Sequence, residues 1–241
     1  MLKTVVIIPA LNEEKAIGKV LLHIPNNLVS KVVVVDNNSS DATAKVARSF
    51  GVTVVHESQI GYGAACLRGI EYIMSNIPGT EIVVFLDADY SDFPGQMSRL
   101  IKPIENKGYD MVLGSRFLGS IYKGAMPWHQ VLGNRFAVAL INWLYGVRYT
   151  DLGPFRAIKF DKLLQLRMQQ KTYGWTAEMQ VKAARGKYRC MEVPVNYRAR
   201  IGSSKISGTM KGTLCAGYAI ISTIIRGRLA NGRHSLQYNN C

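Results

Sequence analysis

The stretch Lys31–Asp36 reads KVVVVD, four β-branched residues in a row closed by a carboxylate. A run with no polar face suits a strand covered on both sides, as in a parallel sheet between two helical layers. Working outward, similar runs read as strands at 4–9, 52–56, 81–86 and 110–114. Between them apolar residues recur at helical spacing: Ile17, Val20, Leu21 and Ile24, then Ile70, Ile73, Met74 and Ile77, then Met97, Leu100, Ile101 and Ile104. Strands and helices alternating over residues 1–115 predict an α/β fold, a Rossmann-like, mostly parallel sheet flanked by helices. Strand ends in such a sheet open into one crevice, so the loops after Pro9, Asp36, His56 and Leu86 are expected to meet there.

Past Arg116 the pattern changes to a loop rich in Gly, Tyr and Trp, an apolar helix over 131–145, a turn at 151–155 and a strand-like run at 190–197. A Gly/Ser/Lys-rich loop at 198–211 leads into a second apolar helix. Its uncharged stretch, 212–225, is shorter than the ~20 residues needed to cross a bilayer, which predicts a core or interfacial helix. The chain thus divides into a nucleotide half (1–115), an acceptor half (116–211) and an apolar C-terminal helix with a basic tail (212–241).

At 241 residues, 48% hydrophobic and 19% charged, the chain can bury a full core. The first apolar run enters a loop and resembles no secretory leader, so a cytosolic location is expected. Cys66, Cys190, Cys215 and Cys241 lack paired or CxxC spacing and read as reduced thiols, with no metal expected on sulfur. The formal charge is +14, and its placement is uneven: 19 basic and 15 acidic residues up to Glu178, then 11 and 1 beyond it. That excess suits a phosphate-bearing substrate or a peripheral position on an anionic membrane surface. Nucleic acid is set aside, because no helix-turn-helix, finger or aromatic-interleaved RNA motif accompanies the charge.

The sharpest motif is FLDADYSD (85–92), in which a buried strand delivers Asp87 and Asp89. Strand alternation would put both on one side. Two carboxylates that close repel one another, and a hard cation, Mg²⁺ or Mn²⁺, relieves the repulsion while leaving positions for diphosphate oxygens. In IPALNEE (8–14) the first strand ends in proline, with Asn12 read as the cap of a helix whose start offers backbone groups to a nucleotide. Alone, that stretch is equally good plain helix chemistry. In VVDNNSSDATA (34–44) Asp36 can accept from ribose or base. Gly61, Tyr62 and Gly63 open another helix, where a backbone can approach a phosphate or simply turn.

These motifs, in this order, resemble family 2 of the inverting glycosyltransferases. GSRF (114–117), TDLGPFRAIK (150–159), EVPVNYRAR (192–200) and GSSK (202–205) make the chain look more narrowly like the dolichol-phosphate and other polyprenyl-phosphate sugar synthases. The resemblance implies a GT-A fold with acceptor-side helices toward the C-terminus. It implies metal-dependent inverting transfer from a UDP- or GDP-linked sugar to a polyprenyl (dolichyl or undecaprenyl) phosphate. By position, Pro9, Ala10, Leu11, Asn12, Glu13, Asp36 and Gly63 would bind the nucleotide sugar, and Asp87, Ala88 and Asp89 the diphosphate and metal. Arg116, Arg198, Arg200 and Lys205 would surround the acceptor phosphate. Ser91 and Asp92 depart from the Gln-His that many relatives carry after the aspartates. His129 and Gly133 replace an Arg and a Ser, and Arg135 is the nearby cation that can compensate.

An ionised phosphate nucleophile needs positioning arginines more than a base. Were the acceptor a saccharide hydroxyl, Glu178 or Asp151 would be the candidate base. Their plain alternatives are a helix-surface acid and a turn residue. A non-catalytic nucleotide-sugar-binding scaffold is the third reading.

Overall fold

The computed structural model describes residues 2–202 and 210–229, with backbone alone over 210–214. The strands are β1 (Thr4–Ala10), β2 (Lys31–Asp36), β3 (Thr53–His56), β4 (Ile82–Phe85), β5 (Met111–Ser115), β6 (Arg156–Lys159) and β7 (Cys190–Pro194). They form one sheet in the order β3-β2-β1-β4-β6-β5-β7. Pairings are parallel except at β6, which runs antiparallel to both β4 and β5.

Alternation along β1 explains why its seven residues are all buried. Val5 and Ile7 enter one apolar layer, Val6, Ile8 and Ala10 the other. In β2, Val33 and Val35 join the first layer and Val34 the second. Helices α3 (Tyr62–Asn76), α5 (Trp128–Tyr145), α7 (Trp175–Arg185) and α8 (Met210–Leu229) contribute to the first layer; α1 (Ile17–Leu22), α2 (Thr43–Ser49) and α4 (Met97–Lys107) contribute to the second. Between β6 and α7 lies α6 (Phe160–Leu166).

Three expectations are corrected. The turn expected at 151–155 continues into β6, a strand absent from the expected set and wedged between β4 and β5. Its first residue, Arg156, is a fully buried arginine that no hydrophobic pattern announces. The guanidinium is accommodated because carbonyls of Gly153 and Thr176 and the side-chain oxygen of Gln180 accept from it; a buried charge persists only when its donors are met. Asn12 caps no helix: its φ is 53°, α1 starts only at Ile17, and its Oδ1 accepts from Ser40 N at 2.8 Å instead. The strand before the aspartates stops at Phe85, so Asp87 and Asp89 sit on a turn beyond it and their proximity comes from the turn, not from the pleat.

The segment 169–174 crosses the start of α3 and ties the two halves of the chain together. Lys171 O accepts from Ala64 N at 2.8 Å. A methyl built on Gly63 would lie 1.9 Å from Gln170 O. The glycine there is required by the protein's own backbone crossing it. Gly63→Ala is therefore expected to cost about 3 kcal/mol or more in urea unfolding. Gly133→Ala in α5, where an added methyl meets nothing within 4 Å, should stabilise by up to about 1 kcal/mol. Equal midpoints for Gly63→Ala and wild type would refute the close crossing.

Candidate active site

The C-terminal edge of the parallel strands opens into a cleft of about 230 Å³. Pro9, Ala10, Leu11 and Glu13 supply one wall, Asp87, Ala88 and Asp89 the floor, and Arg200 also lines it. Six of the nine residues expected to bind the nucleotide sugar, Pro9, Ala10, Leu11, Glu13, Asp87 and Ala88, thus line it. Asn12, Asp36 and Gly63 do not. Sequence reasoning passed over Asn37, Ile60 and Tyr173, which do.

Local chemistry explains each case. The N–H groups of Asn12, Glu13 and Glu14, expected to face a nucleotide, donate instead to Ser39 Oγ, Thr43 Oγ1 and Asp41 Oδ2 at 3.0, 2.7 and 3.2 Å. The two loops are stitched together, and this stitching fixes the bend that carries Leu11 and Glu13 inward. Asp36 is buried, with Oδ2 3.4 Å from His56 Nδ1 and Oδ1 lacking any partner. Its neighbour Asn37 accepts from Gly61 N at 2.8 Å and donates to Glu57 O and Gln59 O, holding the β3–α3 loop against the cleft.

The two aspartates have different surroundings. Asp89 is buried; its Oδ1 accepts from Ser91 N and Ser91 Oγ at 2.9 and 2.6 Å, and its Oδ2 lies 2.6 Å from Arg200 Nη2. The same arginine stands 3.7 Å from Glu13 Oε1. Among the described residues, Asp87 accepts from the Tyr62 hydroxyl, at 3.0 Å. Burial, then the neighbouring Asp89 charge, push its pKa from 3.8 up to about 7. Tyr62 could have been suspected from its place between two glycines at a helix start, but nothing in the sequence aims its hydroxyl at Asp87.

Arg116 and Arg198 are engaged by the protein itself. Arg116 grips Asp151 with Nε and Nη2, both at 2.7 Å, its backbone N–H adds a third bond at 2.9 Å, and its guanidinium lies 5.0 Å from the Tyr197 ring centre. Arg198 is sandwiched on Tyr90 and Phe93 at 3.3 and 4.1 Å and donates to Tyr90 O and Asp92 O. It therefore clamps the turn carrying Asp89, where Tyr90 adopts a φ of 63°. Arg135 is exposed on α5 and does not line the cleft; Lys205 lies outside the described residues. Asp92 is fully buried with neither oxygen partnered among the described residues, and burial beside Asp87 and Asp89 holds its carboxyl well above the usual carboxylate range.

Glu178 is neither a helix-surface acid nor a residue of the cleft lining. It is fully buried, accepting from Gln169 N and Gln170 N and pairing with Lys182 Nζ at 2.8 Å. Those bonds hold the 169–174 crossing segment, which in turn presents Tyr173 to the cleft.

The two carboxylates of Asp87 and Asp89 suit a divalent cation, since their mutual repulsion marks a set short of positive charge. Among the described residues no cluster of three or more His, Cys, Asp or Glu ligands is present, so phosphate oxygens and water would complete the coordination sphere.

The family model described as glycosyl transferase family 2 matches residues 5–167. An uncharacterized glycosyltransferase of Mycobacterium tuberculosis is 34% identical over 216 residues, 88% of this chain and 93% of that one. A dolichyl-phosphate hexose transferase of Haloferax volcanii is 31% identical, over 93% and 95%. A polyprenol monophosphomannose synthase of Mycolicibacterium smegmatis is 28% identical, over 96% and 90%. In three dimensions the chain resembles glucosyl-3-phosphoglycerate synthase from Mycobacterium tuberculosis, solved with Mn²⁺, uridine diphosphate and phosphoglyceric acid, at a TM-score of 0.70 and 19% identity over 94% of this chain and 78% of that one. The likeness speaks for the fold, and the helix-flanked, mostly parallel sheet is that of GT-A.

A carboxyl held up to about 7 when folded keeps its proton longer than in the unfolded chain. The folded state therefore binds more protons between about pH 4 and 7, and its stability falls as pH rises through that window. Without divalent ions, Asp87→Asn should melt higher than wild type at pH 8 and level with it near pH 4. A melting difference independent of pH would contradict this.

Proposed function

Because the chain belongs to glycosyl transferase family 2, we propose that it moves a sugar from a UDP- or GDP-linked donor onto a polyprenyl phosphate, inverting the anomeric centre. The observation that supports this is the Arg200–Asp89 contact in the cleft: a guanidinium beside these carboxylates suits an anionic, phosphate-bearing acceptor. On this reading residues 1–115 chiefly bind the nucleotide and 116–211 the acceptor.

Asp87 and Asp89 would hold Mg²⁺ or Mn²⁺, with Tyr62 and Ser91 orienting their oxygens. When bound, the ion supplies charge neutralisation for the departing nucleoside diphosphate. A phosphate acceptor arrives already ionised, so Arg200 has to place it and no residue has to deprotonate it. Arg116, pinned by Asp151 and backed by Tyr197, contributes a rigid positive edge, and Arg198 acts by holding the turn of Asp89.

A saccharide hydroxyl would need a base, and both candidates are occupied: Asp151 by Arg116, Glu178 by two backbone N–H groups and Lys182. This supports the phosphate acceptor. The lipid tail of such an acceptor implies work at an anionic membrane surface; among the described residues no helix is long and apolar enough to cross a membrane.

Thermal shift with UDP- and GDP-hexoses, with and without Mn²⁺, is the direct test. One nucleotide series should stabilise the protein only with metal, and Asp89→Ala should abolish the shift. Arg200→Gln should lower kcat/KM toward a polyprenyl phosphate by about 100-fold. Glu178→Gln should lower the melting temperature but leave kcat within a few-fold. No stabilisation by any donor, or loss of kcat in a folded Glu178→Gln, would overturn the assignment.

A further inference from the structure

Helix α5 buries one side and leaves an unusual second one. Ala137, Val138 and Ile141 enter the core, and Asn134 on that side accepts from Leu152 N at 3.0 Å, anchoring the turn that carries Asp151. Outward stand Trp128, Leu132, Phe136 and Trp143, all exposed, the tryptophans by 77% and 80%. At 100° per residue these positions fall within about 80° of arc, a single stripe along the helix. Helix α8 packs beside α5, where the Tyr145 hydroxyl donates to Ile224 O and Gly227 leaves room for Tyr145 and Val181. It exposes Tyr218, Ile225 and Leu229.

The charge around this stripe is one-sided. No Asp or Glu occurs from residue 111 to 150 or after Glu192, while Lys123, Arg135, Arg148 and Arg228 are exposed. A soluble surface ordinarily mixes both signs with its apolar residues. A second copy docked isologously through α5 and α8 would bring cations against cations, since neither helix carries a carboxylate. Anionic lipid headgroups complement such a fringe, and tryptophan and phenylalanine are residues that settle at the boundary between headgroups and acyl chains.

We propose that the outward stripe of α5, with the exposed edge of α8, lies in the interface of an anionic bilayer and seats the enzyme on the membrane that carries its acceptor. The purpose of the seat rests on the lipid-phosphate reading above; its existence can be tested apart from it. Because α5 also holds the turn of Asp151, and Asp151 holds Arg116, seating the stripe would deliver a lipid-borne phosphate at the level of the arginines.

The chain carries its own probe. Of its three tryptophans, Trp128 and Trp143 are on the stripe, and Trp175 is 1% exposed in the core against Phe85. Adding phosphatidylcholine vesicles with about one third phosphatidylglycerol should blue-shift the emission, and vesicles without the anionic lipid should do so far less. In the Trp128→Phe, Trp143→Phe double variant the remaining Trp175 emission should stay unchanged while the protein still sediments with vesicles. Phe136→Glu with Trp143→Glu should weaken co-sedimentation by about tenfold or more. The same variant should lose transfer to a long-chain polyprenyl phosphate embedded in the vesicles yet keep transfer to a short, water-soluble isoprenyl phosphate. Unaltered emission and undiminished co-sedimentation in the glutamate variant would overturn the docking face. So would a wild-type dimer that the glutamates convert to monomer, since a second copy would then be the occupant. Vesicle binding with no transfer to either acceptor would leave the docking face standing and sink the proposed function instead.

Discussion

The constraint on which the site depends is the crowding of negative charge at one edge of the sheet. Asp87, Asp89 and Asp92 fall within six residues, in a region sealed by valines and isoleucines from β1 and β4. Coulomb repulsion in such a place is poorly screened, and the fold answers it residue by residue. Arg200 takes one oxygen of Asp89, Ser91 takes the other, and Tyr62 donates to Asp87. Asp92 is given no donor and is held toward its neutral form. Electrostatic strain of this kind suits a site that takes a divalent cation.

Around that centre a set of buried polar struts does the positioning. Glu178 fixes the crossing segment 169–174 and Arg156 fixes the turn at 152–153. Asp151 fixes Arg116, and Arg198 fixes the turn beyond β4. Arg156 and Arg198 donate to backbone carbonyls, whereas Asp151 and Glu178 are paired with Arg116 and Lys182, where removal of one partner leaves the other stranded at a cost of about 3–5 kcal/mol. Several cationic or acidic residues that resemble reactants are thus scaffolding for the few that face the cleft.

Most of the sheet was legible because valine-rich runs and 3.6-residue periodicity are statements about burial, and burial is what the sheet and its helices share. β6 was not, because a four-residue strand headed by a buried arginine has no periodicity and gains its place from neighbours on both sides. In the site, the wall from Pro9 to Leu11 and the aspartates could be read from their position after strands. Tyr173 could not, since its relevance depends on a backbone crossing between residues over a hundred positions apart, and Tyr62, though set off by glycines, could not be paired with Asp87. For the same reason Gly63 was legible as special but not for the right reason: its missing side chain makes way for Gln170, not for a phosphate. Arg198 and Glu178 were legible as charges, but only three-dimensional context distinguishes a ligand from a clamp.

The insertion of β6 between β4 and β5 has a bearing on how the chain assembles during synthesis. When residue 115 has left the ribosome, β3, β2, β1 and β4 can already pair, but β5 has no strand to dock on and β4 presents a bare hydrogen-bonding edge. Both wait for residues 156–159, and the start of α3 waits for Lys171. Open edges are templates for wrong pairing, and contacts of long sequence separation form late. Residues 1–115 and 116–211 therefore belong to a single cooperative unit, and severing the chain between them would split one sheet across two pieces.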